Sequence, residues 1–474
     1  MNPRDLQRHQ FVVYGDCTSG IPDGPHEATF ASVNAVVARL SPSPDFVCFL
    51  GDEIKGLLAD EAQLREQWRY WFEDEMGWLD REAIPLYHTT ANHTTYDGMS
   101  ERVFCDVLSR LPQNGPSKQR GLSYFVRRGD LLLIFVNTMW SGLGGEGMVE
   151  TEWLTQTLTD HADARHKLVL GHHPVWGING YVGDHQRTIS AENGRRFWQI
   201  LVQHNVLAYL CSHLMAFDVQ VHEGVLQILT AGAGTLPLMP SHAEYLHAVQ
   251  MALDVEGLRY QVLDTNGQAR ESLAWPFRLP PSGQWQTLLL GEQSAAVPDL
   301  SQEVTVWRFD GVLNSAENGS PQTLLCAWDA SPYITPFWIG LTGRTPRVSV
   351  QICPEPGRSP RHWLGPQLQL NEPFSIQICL HPDMGPGGIL WRWHDDAPWS
   401  SMLGTTAWGA NQLASLPTWG VGQDNYGQTG RPFRSRALTA RLYHRTPISK
   451  QRARSGRLPS YTFRLFMNHR KHHD

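Results

Sequence analysis

Residues 168–176, LVLGHHPVW, form a short apolar run that stops on a histidine, and residues 206–218, VLAYLCSHLMAFD, repeat the arrangement around His213. Apolar runs of this length bounded by turn signals read as buried strands, and in open α/β sheets the carboxyl ends of such strands deliver side chains to one crevice. Working outward towards the N-terminus, three further runs close in the same way: FVVYGD on Asp16, FVCFLGD on Asp52, and IPLYHTTANH on Asn92 and His93. Carboxylate, amide oxygen and imidazole suit Mn, Fe, Zn or Mg as ligands. Five strand ends therefore predict a divalent-metal site assembled from distant parts of the chain.

In sequence order the blocks are Gly15-Asp16-Cys17-Thr18, Gly51-Asp52-Glu53-Ile54-Lys55, Ala91-Asn92-His93-Thr94, Gly171-His172-His173-Pro174 and Ser212-His213-Leu214-Met215. With this series, residues from about 11 to 279 resemble the calcineurin-like metallophosphoesterases and, within them, the purple (tartrate-resistant) acid phosphatase branch. The resemblance implies a four-layer αββα sandwich. It also implies that Asp52 bridges two ions, that Asn92, His172 and His213 complete the second ion's shell, and that Asp16 belongs to the first. Two ions about 3.5–4 Å apart acidify a water and clamp a phosphate. His93, beside a ligand without being one, is implied to protonate the leaving oxygen or stabilise the transition state, work typically worth about 10²–10⁴ in rate.

The first site departs from the family pattern. Its usual histidines are replaced by Thr18 and by Met215, a soft and weak ligand for these ions, and Lys55 stands where the purple branch places a tyrosine. One firm ion is expected, with a second weak or absent. Two readings of Lys55 remain: its ammonium fills the missing ion's space and pairs with Asp16, or it points to solvent, since lysine is rarely buried unless paired. His88, His173 and His222 have no implied role and read as structural. Cys17, which alternation turns away from the site, reads as core.

The expected function is a metal-dependent phosphoesterase that cleaves a small phosphomonoester or phosphodiester with metal-activated water. The alternative is a weak or inactive relative that binds a glycan or protein through its second half. A formal charge of -7 gives no overall pull towards nucleic acid or anionic membrane. Seven cysteines without a C-x-x-C indicate neither a zinc ribbon nor a disulfide framework, and fit a reducing compartment. The start shows no signal-peptide core, and no run reaches the length of a membrane span, so a cytoplasmic location is expected.

At 474 residues the chain exceeds one ordinary core, and two domains are expected. Helical spacing over 26–40, 59–77, 151–162 and 191–204 alternates with the strands as far as residue 279. A Pro/Gly/Ser-rich break places a linker at 280–284. From 285 to 445 the helical period gives way to short strands between Gly/Pro/Asn turns, VTVWRFDGVL, PFWIGLTG and FSIQICLHP among them, which argue for an all-β sandwich. Its segment RPFRSRALTARLYHR resembles the closing strand of concanavalin A-like or laminin-G-like jelly rolls. Trp391, Trp393, Trp399, Trp408 and Trp419 suggest either sandwich core or a sugar-stacking platform. Residues 446–474 form a basic tail, read as solvated or as a contact for phosphate-rich partners.

Overall fold

The computed structural model describes residues 8–139, 147–181, 187–235, 244–279, 283–294, 304–328, 336–353, 360–404, 418–423, 431–434 and 437–445. Apolar runs near the N-terminus form the buried parallel strands β1 (His9–Tyr14), β2 (Phe46–Phe49) and β3 (Leu86–His88). A second sheet holds β4 (Tyr124–Arg128), β5 (Leu131–Phe135), β6 (His166–Leu170), β7 (Ala208–Cys211), β8 (Phe217–His222) and β9 (Val225–Thr230). Its order is β4-β5-β6-β7-β9-β8, with β5, β6, β7 and β9 parallel. The chain then returns to the first sheet as β10 (His247–Asp254), β11 (Gly257–Asp264) and β12 (Ala269–Trp275), which extend it beyond β1 in an antiparallel meander.

Side-chain alternation sets the layers. Tyr87 meets Phe135 across the space between the sheets, ring centroids 5.6 Å apart, while Tyr14 and Phe49 turn the other way onto Phe30 and Trp71. Phe30 belongs to α1 (Glu27–Val37), and α2 (Glu61–Tyr70) adds Leu64 and Trp68 to the same core. On the far side, Leu132, Ile134 and Val169 pack with Leu154 of α4 (Thr151–Asp160) and Phe197 of α5 (Ala191–Gln203). Helices thus cover the outer face of each sheet. The sequence reading missed α3 (Gly98–Val107), whose start is a capping box between Asp97 and Ser100, and the β4–β5 hairpin. The helix expected over 59–77 ends at Tyr70, where a π-helical turn, Trp71–Glu75, takes over.

Beyond residue 283 the structure is antiparallel β. One sheet contains β13 (Gly283–Leu288), β15 (Thr305–Val312), β20 (Pro373–Leu380), β21 (Ile389–Arg392), β22 (Ser400–Ser401) and β25 (Leu438–Arg445). The other contains β14 (Gly291–Ser294), β16 (Gln322–Trp328), β17 (Phe337–Thr342), β18 (Arg347–Ile352), β19 (Arg361–Gln367), β23 (Leu403–Gly404) and β24 (Thr418–Val421). Trp307 and Ile378 from the first sheet and Ile339 and Val350 from the second share one core. Gly283 and Gln284, assigned to a linker from sequence, already pair with Arg445 and His444 in β13 and β25. Residues 280–282 and the basic tail 446–474 lie outside the described residues.

The two parts meet along β8. The Val221 and Glu223 amides donate to the hydroxyls of Ser401 (3.0 Å) and Ser400 (2.9 Å), and the Gly224 amide donates to the Trp399 carbonyl (2.9 Å). Asn179 donates through Nδ2 to the Met402 carbonyl (3.1 Å) and accepts at Oδ1 from the Gly404 amide (2.7 Å). Most of the tryptophans singled out from sequence are used in packing. Trp419 is buried against Trp307, Trp399 lies buried between Phe277 and Arg392, and Trp391 and Trp393 are half-buried and edge to face. Trp408 falls outside the described residues. No helix among the described residues is long and apolar enough to cross a membrane.

Candidate metal centre

Asp16, Asp52, Asn92, His93, His172 and His213 all follow the carboxyl ends of parallel strands, in the loops after β1, β2, β3, β6 and β7. The loops are tied to one another: the Asp16 amide donates to the Gly51 carbonyl (3.0 Å), that of Thr18 to Asp52 (2.7 Å), and that of Ser212 to His172 (2.9 Å). Asp16, Asp52 and His213 hold φ of 63°, 56° and 73°, a left-handed conformation that non-glycine residues keep only where their surroundings over-determine it. Gly51 is at φ 90°, and a Cβ there would lie 2.4 Å from the Ala91 Cβ, so glycine is required beside Asp52.

The acceptors converge on His172. The Leu50 carbonyl can only accept, so the ring's Nδ1–H donates to it at 2.8 Å and Nε2 is left facing inward. Around Nε2 stand Asn92 Oδ1 at 2.9 Å, His213 Nδ1 at 3.1 Å and Asp52 Oδ2 at 3.5 Å. One donor atom from each of Asp52, His172 and His213 lies within 4.8 Å of the others. Ligands held about 2.1 Å from a common ion are separated by about 3–3.5 Å in octahedral or tetrahedral shells. The spacing and the nitrogen-oxygen donor set fit a divalent cation.

In the metal-free site a proton sits on His172, which an incoming ion would displace. Burial opposes the His172 imidazolium, but the Asp52 carboxylate outweighs it and raises His172 to about 9. The same pairing carries Asp52 the other way: burial would raise its carboxyl, and His172 holds it well below the usual range. Burial, reinforced by the His172 charge, lowers His213 to about 3 and leaves it a neutral imidazole suited to ligation.

Asp16 is different. Its Oδ2 accepts from the Ser212 hydroxyl and from the His213 amide (2.9 Å), while its buried Oδ1 has no hydrogen-bond partner among the described residues. Burial raises its carboxyl to about 6. Thr18, in the expected place of a histidine, is within hydrogen-bond reach of His26 Nδ1 (2.7 Å) and of the Thr235 hydroxyl (3.0 Å). Met215 is half-buried. Lys55 does not fill the gap, for its side chain is exposed and no ion pair joins it to Asp16 among the described residues. The Lys55 carbonyl accepts from His93 Nδ1 (2.7 Å), and the residue lines a surface groove.

That same bond orients His93. Its Nδ1–H is committed to a carbonyl and its amide donates to Asp52 Oδ1 (2.9 Å), so Nε2 is the nitrogen left to exchange a proton. His173 donates or accepts at Nδ1 with Thr138 (2.9 Å), its ring 4.3 Å from that of His213. His88 pairs with the buried Glu53 at 2.8 Å, and His222 stacks on Trp176 at 4.1 Å. Cys17 is core, donating to the Glu53 carbonyl. Sequence reasoning missed Ser212 and His26. The one signal for Ser212 was a serine where the family motif carries glycine.

The chain is similar, at low identity, to acid phosphatases over about half of its length. Tartrate-resistant acid phosphatase type 5 of Sus scrofa is 23% identical over 245 residues, covering 48% of this chain and 69% of the relative. The same protein of Oryctolagus cuniculus is 24% identical over 247 residues, covering 48% and 72%. Among solved structures, purple acid phosphatase PPD1 from yellow lupin (Lupinus luteus) seeds superposes with a TM-score of 0.43 at 14% identity, over 57% of this chain and 54% of that one. The chain thus spans about half the length of the lupin chain. No family model matches.

Proposed function

We propose that the chain is a metal-dependent phosphoesterase with one firm divalent ion, Mn, Fe or Zn, held by Asp52, Asn92, His172 and His213. The observation that carries this reading is the convergence of Asn92 Oδ1, Asp52 Oδ2 and His213 Nδ1 on His172 Nε2. When bound, such an ion polarises a phosphoryl oxygen and acidifies water. The residues of the chain do the rest. Asp52 holds His93 through its amide, the Lys55 carbonyl fixes the ring, and Nε2 gives its proton to the leaving oxygen of a small phosphomonoester or phosphodiester. Asp16, tied to Ser212 and the His213 amide, contributes a weak second site or none.

The test is metal content together with hydrolysis of p-nitrophenyl phosphate and its bis ester with added Mn²⁺. One tightly bound equivalent, lost in Asn92→Ala and His172→Ala along with activity, is the expected result. Two tight equivalents would overturn the one-ion reading, and a metal-free, inactive protein would overturn the enzyme.

The capture of Asp16 by Ser212 favours a second reading, in which the centre is weak or inactive and residues 285–445, as a concanavalin A-like sandwich, bind a glycan or a protein. Inactivity with every metal, with glycan-array binding lost on Trp391→Ala or Trp393→Ala, would support it. Both readings divide the chain into domains at 1–279 and 285–445. A cytoplasmic, reducing setting belongs to the same proposal and rests on the cysteine pattern of the sequence.

A further inference from the structure

With Thr18 and Met215 in place of histidines, a phosphate at this centre would meet the buried carboxyl groups of Asp16 and Asp52 with one ion to offset them. Charge on phosphoryl oxygens is stabilised by preorganised cations and donors aimed at it, so a second cation is the group to look for. Lys55 belongs to the surface groove beside α2. On the side of His173 and His213, a cation comes from the loop after β6, at Arg187.

Backbone bonds hold the neighbours of Arg187 against the ligand-bearing segments. The Ile189 amide donates to the carbonyl of Pro174, which follows His173 in the chain (2.8 Å). The Thr188 carbonyl accepts from the Gly147 amide (3.1 Å), and a Cβ on Gly147 would fall 3.0 Å from the His173 Cβ. His173 is itself fixed, since the Tyr209 hydroxyl donates to its carbonyl (2.6 Å) and its Nδ1 meets Thr138. Its ring lies 4.3 Å from that of His213 and 5.2 Å from that of His172. Arg187 therefore stands one residue from a segment packed on the histidine that packs on two metal ligands. Its charge reaches them: burial lowers both His173 and His213, and the Arg187 guanidinium adds to the lowering at each ring. Such an effect fades over about 10 Å in physiological salt. Arg187 is also exposed, so an incoming anion can reach it, and its planar fork can grip two phosphoryl oxygens at once.

We propose that Arg187 is a phosphate-binding residue of this centre, gripping non-bridging phosphoryl oxygens on the side of His173 and His213 and supplying charge that the incomplete first site does not. The inference rests on the phosphoesterase reading. The guanidinium transfers no proton, because it stays charged throughout; the leaving oxygen takes its proton from His93. A monoester, which carries two negative charges, gains more from such a cation than a diester, which carries one. Arg187 therefore biases the site towards monoesters.

The experiment titrates inorganic phosphate into the metal-loaded protein by calorimetry and compares hydrolysis of p-nitrophenyl phosphate with that of its bis ester. Arg187→Gln is expected to weaken phosphate binding by at least about tenfold, the scale of a hydrogen bond to a charged group. It should also lower kcat/KM for the monoester several-fold more than for the bis ester, with metal content unchanged. Arg187→Lys should restore part of both. Arg195→Gln, which removes an equal charge from an exposed position of α5, should change neither. Unchanged phosphate affinity in Arg187→Gln, or an equal loss in Arg195→Gln, would overturn the assignment, and so would a loss of metal from Arg187→Gln. Phosphate binding that depends on Arg187 while no ester is cleaved would end the enzyme reading and leave the anion site standing. A protein that neither cleaves esters nor binds phosphate would end both.

Discussion

Asp16 and Asp52 follow adjacent parallel strands, both adopt left-handed backbone and both are buried, yet they end in opposite electrostatic states. Asp52 faces the His172 ring and is held ionised; Asp16 faces a hydroxyl and an amide and is pushed up to about 6 by burial. What separates them is the partner. Asp52 lies against the imidazole, which outweighs its desolvation, whereas Asp16 makes no such contact; the His172 charge and its two neutral donors lower it, but not by enough to offset burial and the repulsion of Asp52.

Removing the working half should have the largest effect. Asp52→Asn or His172→Ala is expected to lower metal affinity by more than about 100-fold, beyond the cost usually seen for groups that merely orient ligands. Elemental analysis after gel filtration checks it, and retention of a full equivalent would break the contrast between the halves. His93→Ala should reduce kcat by about 10²–10⁴ while metal content stays unchanged. A parallel loss of metal would show that His93 ligates rather than transfers a proton.

The two aspartates also predict opposite pH slopes for the metal-free protein. Asp52, lowered in the fold, contributes stability that is present above its ordinary value of 3.8 and lost as pH falls. Asp16, raised to about 6, contributes stability present below 3.8 and lost as pH rises through about 6. Asp16→Asn should therefore raise stability at pH 8 by on the order of 1–3 kcal/mol and leave it nearly unchanged at pH 4. Chemical denaturation at the two pH values with excess chelator measures this. A destabilised variant at pH 8 would mean that Asp16 is doing what Asp52 does. The Ser212→Gly change should have a smaller outcome, a second and weaker metal equivalent at the freed carboxylate. A single equivalent in that variant would place the defect in Thr18 and Met215 instead.

Smallest, and remote from the centre, Asn179→Ala should cost about 1–3 kcal/mol by leaving the Gly404 amide and Met402 carbonyl without their partner. Metal content should not change. A loss of metal would show that the loop after β6 depends on the β-rich part for its shape.

The strand ends were legible because apolar runs that stop on Asp, Asn or His are both a folding pattern and a ligand pattern. The same periodicity marked helices at α1, α2, α4 and α5. It did not mark α3, which is short and announced by the Asp97–Ser100 cap more than by an apolar stripe, nor the place where α2 yields to the turn at Trp71. Ser212 against Asp16 was out of reach for another reason. The two lie 196 residues apart, and their contact exists only because β1 and β7 end on the same side of two stacked sheets. The exposed course of Lys55 was likewise not encoded in its spacing from Asp52.

The serine hydroxyls at positions 400 and 401 have a consequence for anyone shortening the gene. Ser401 occupies the Val221 amide of β8, the outermost strand of its sheet, and Ser400 occupies the Glu223 amide in the turn that follows. A fragment stopped near residue 279 would bare those donors and offer them to another copy, so self-association by strand addition is the hazard to watch for in such fragments.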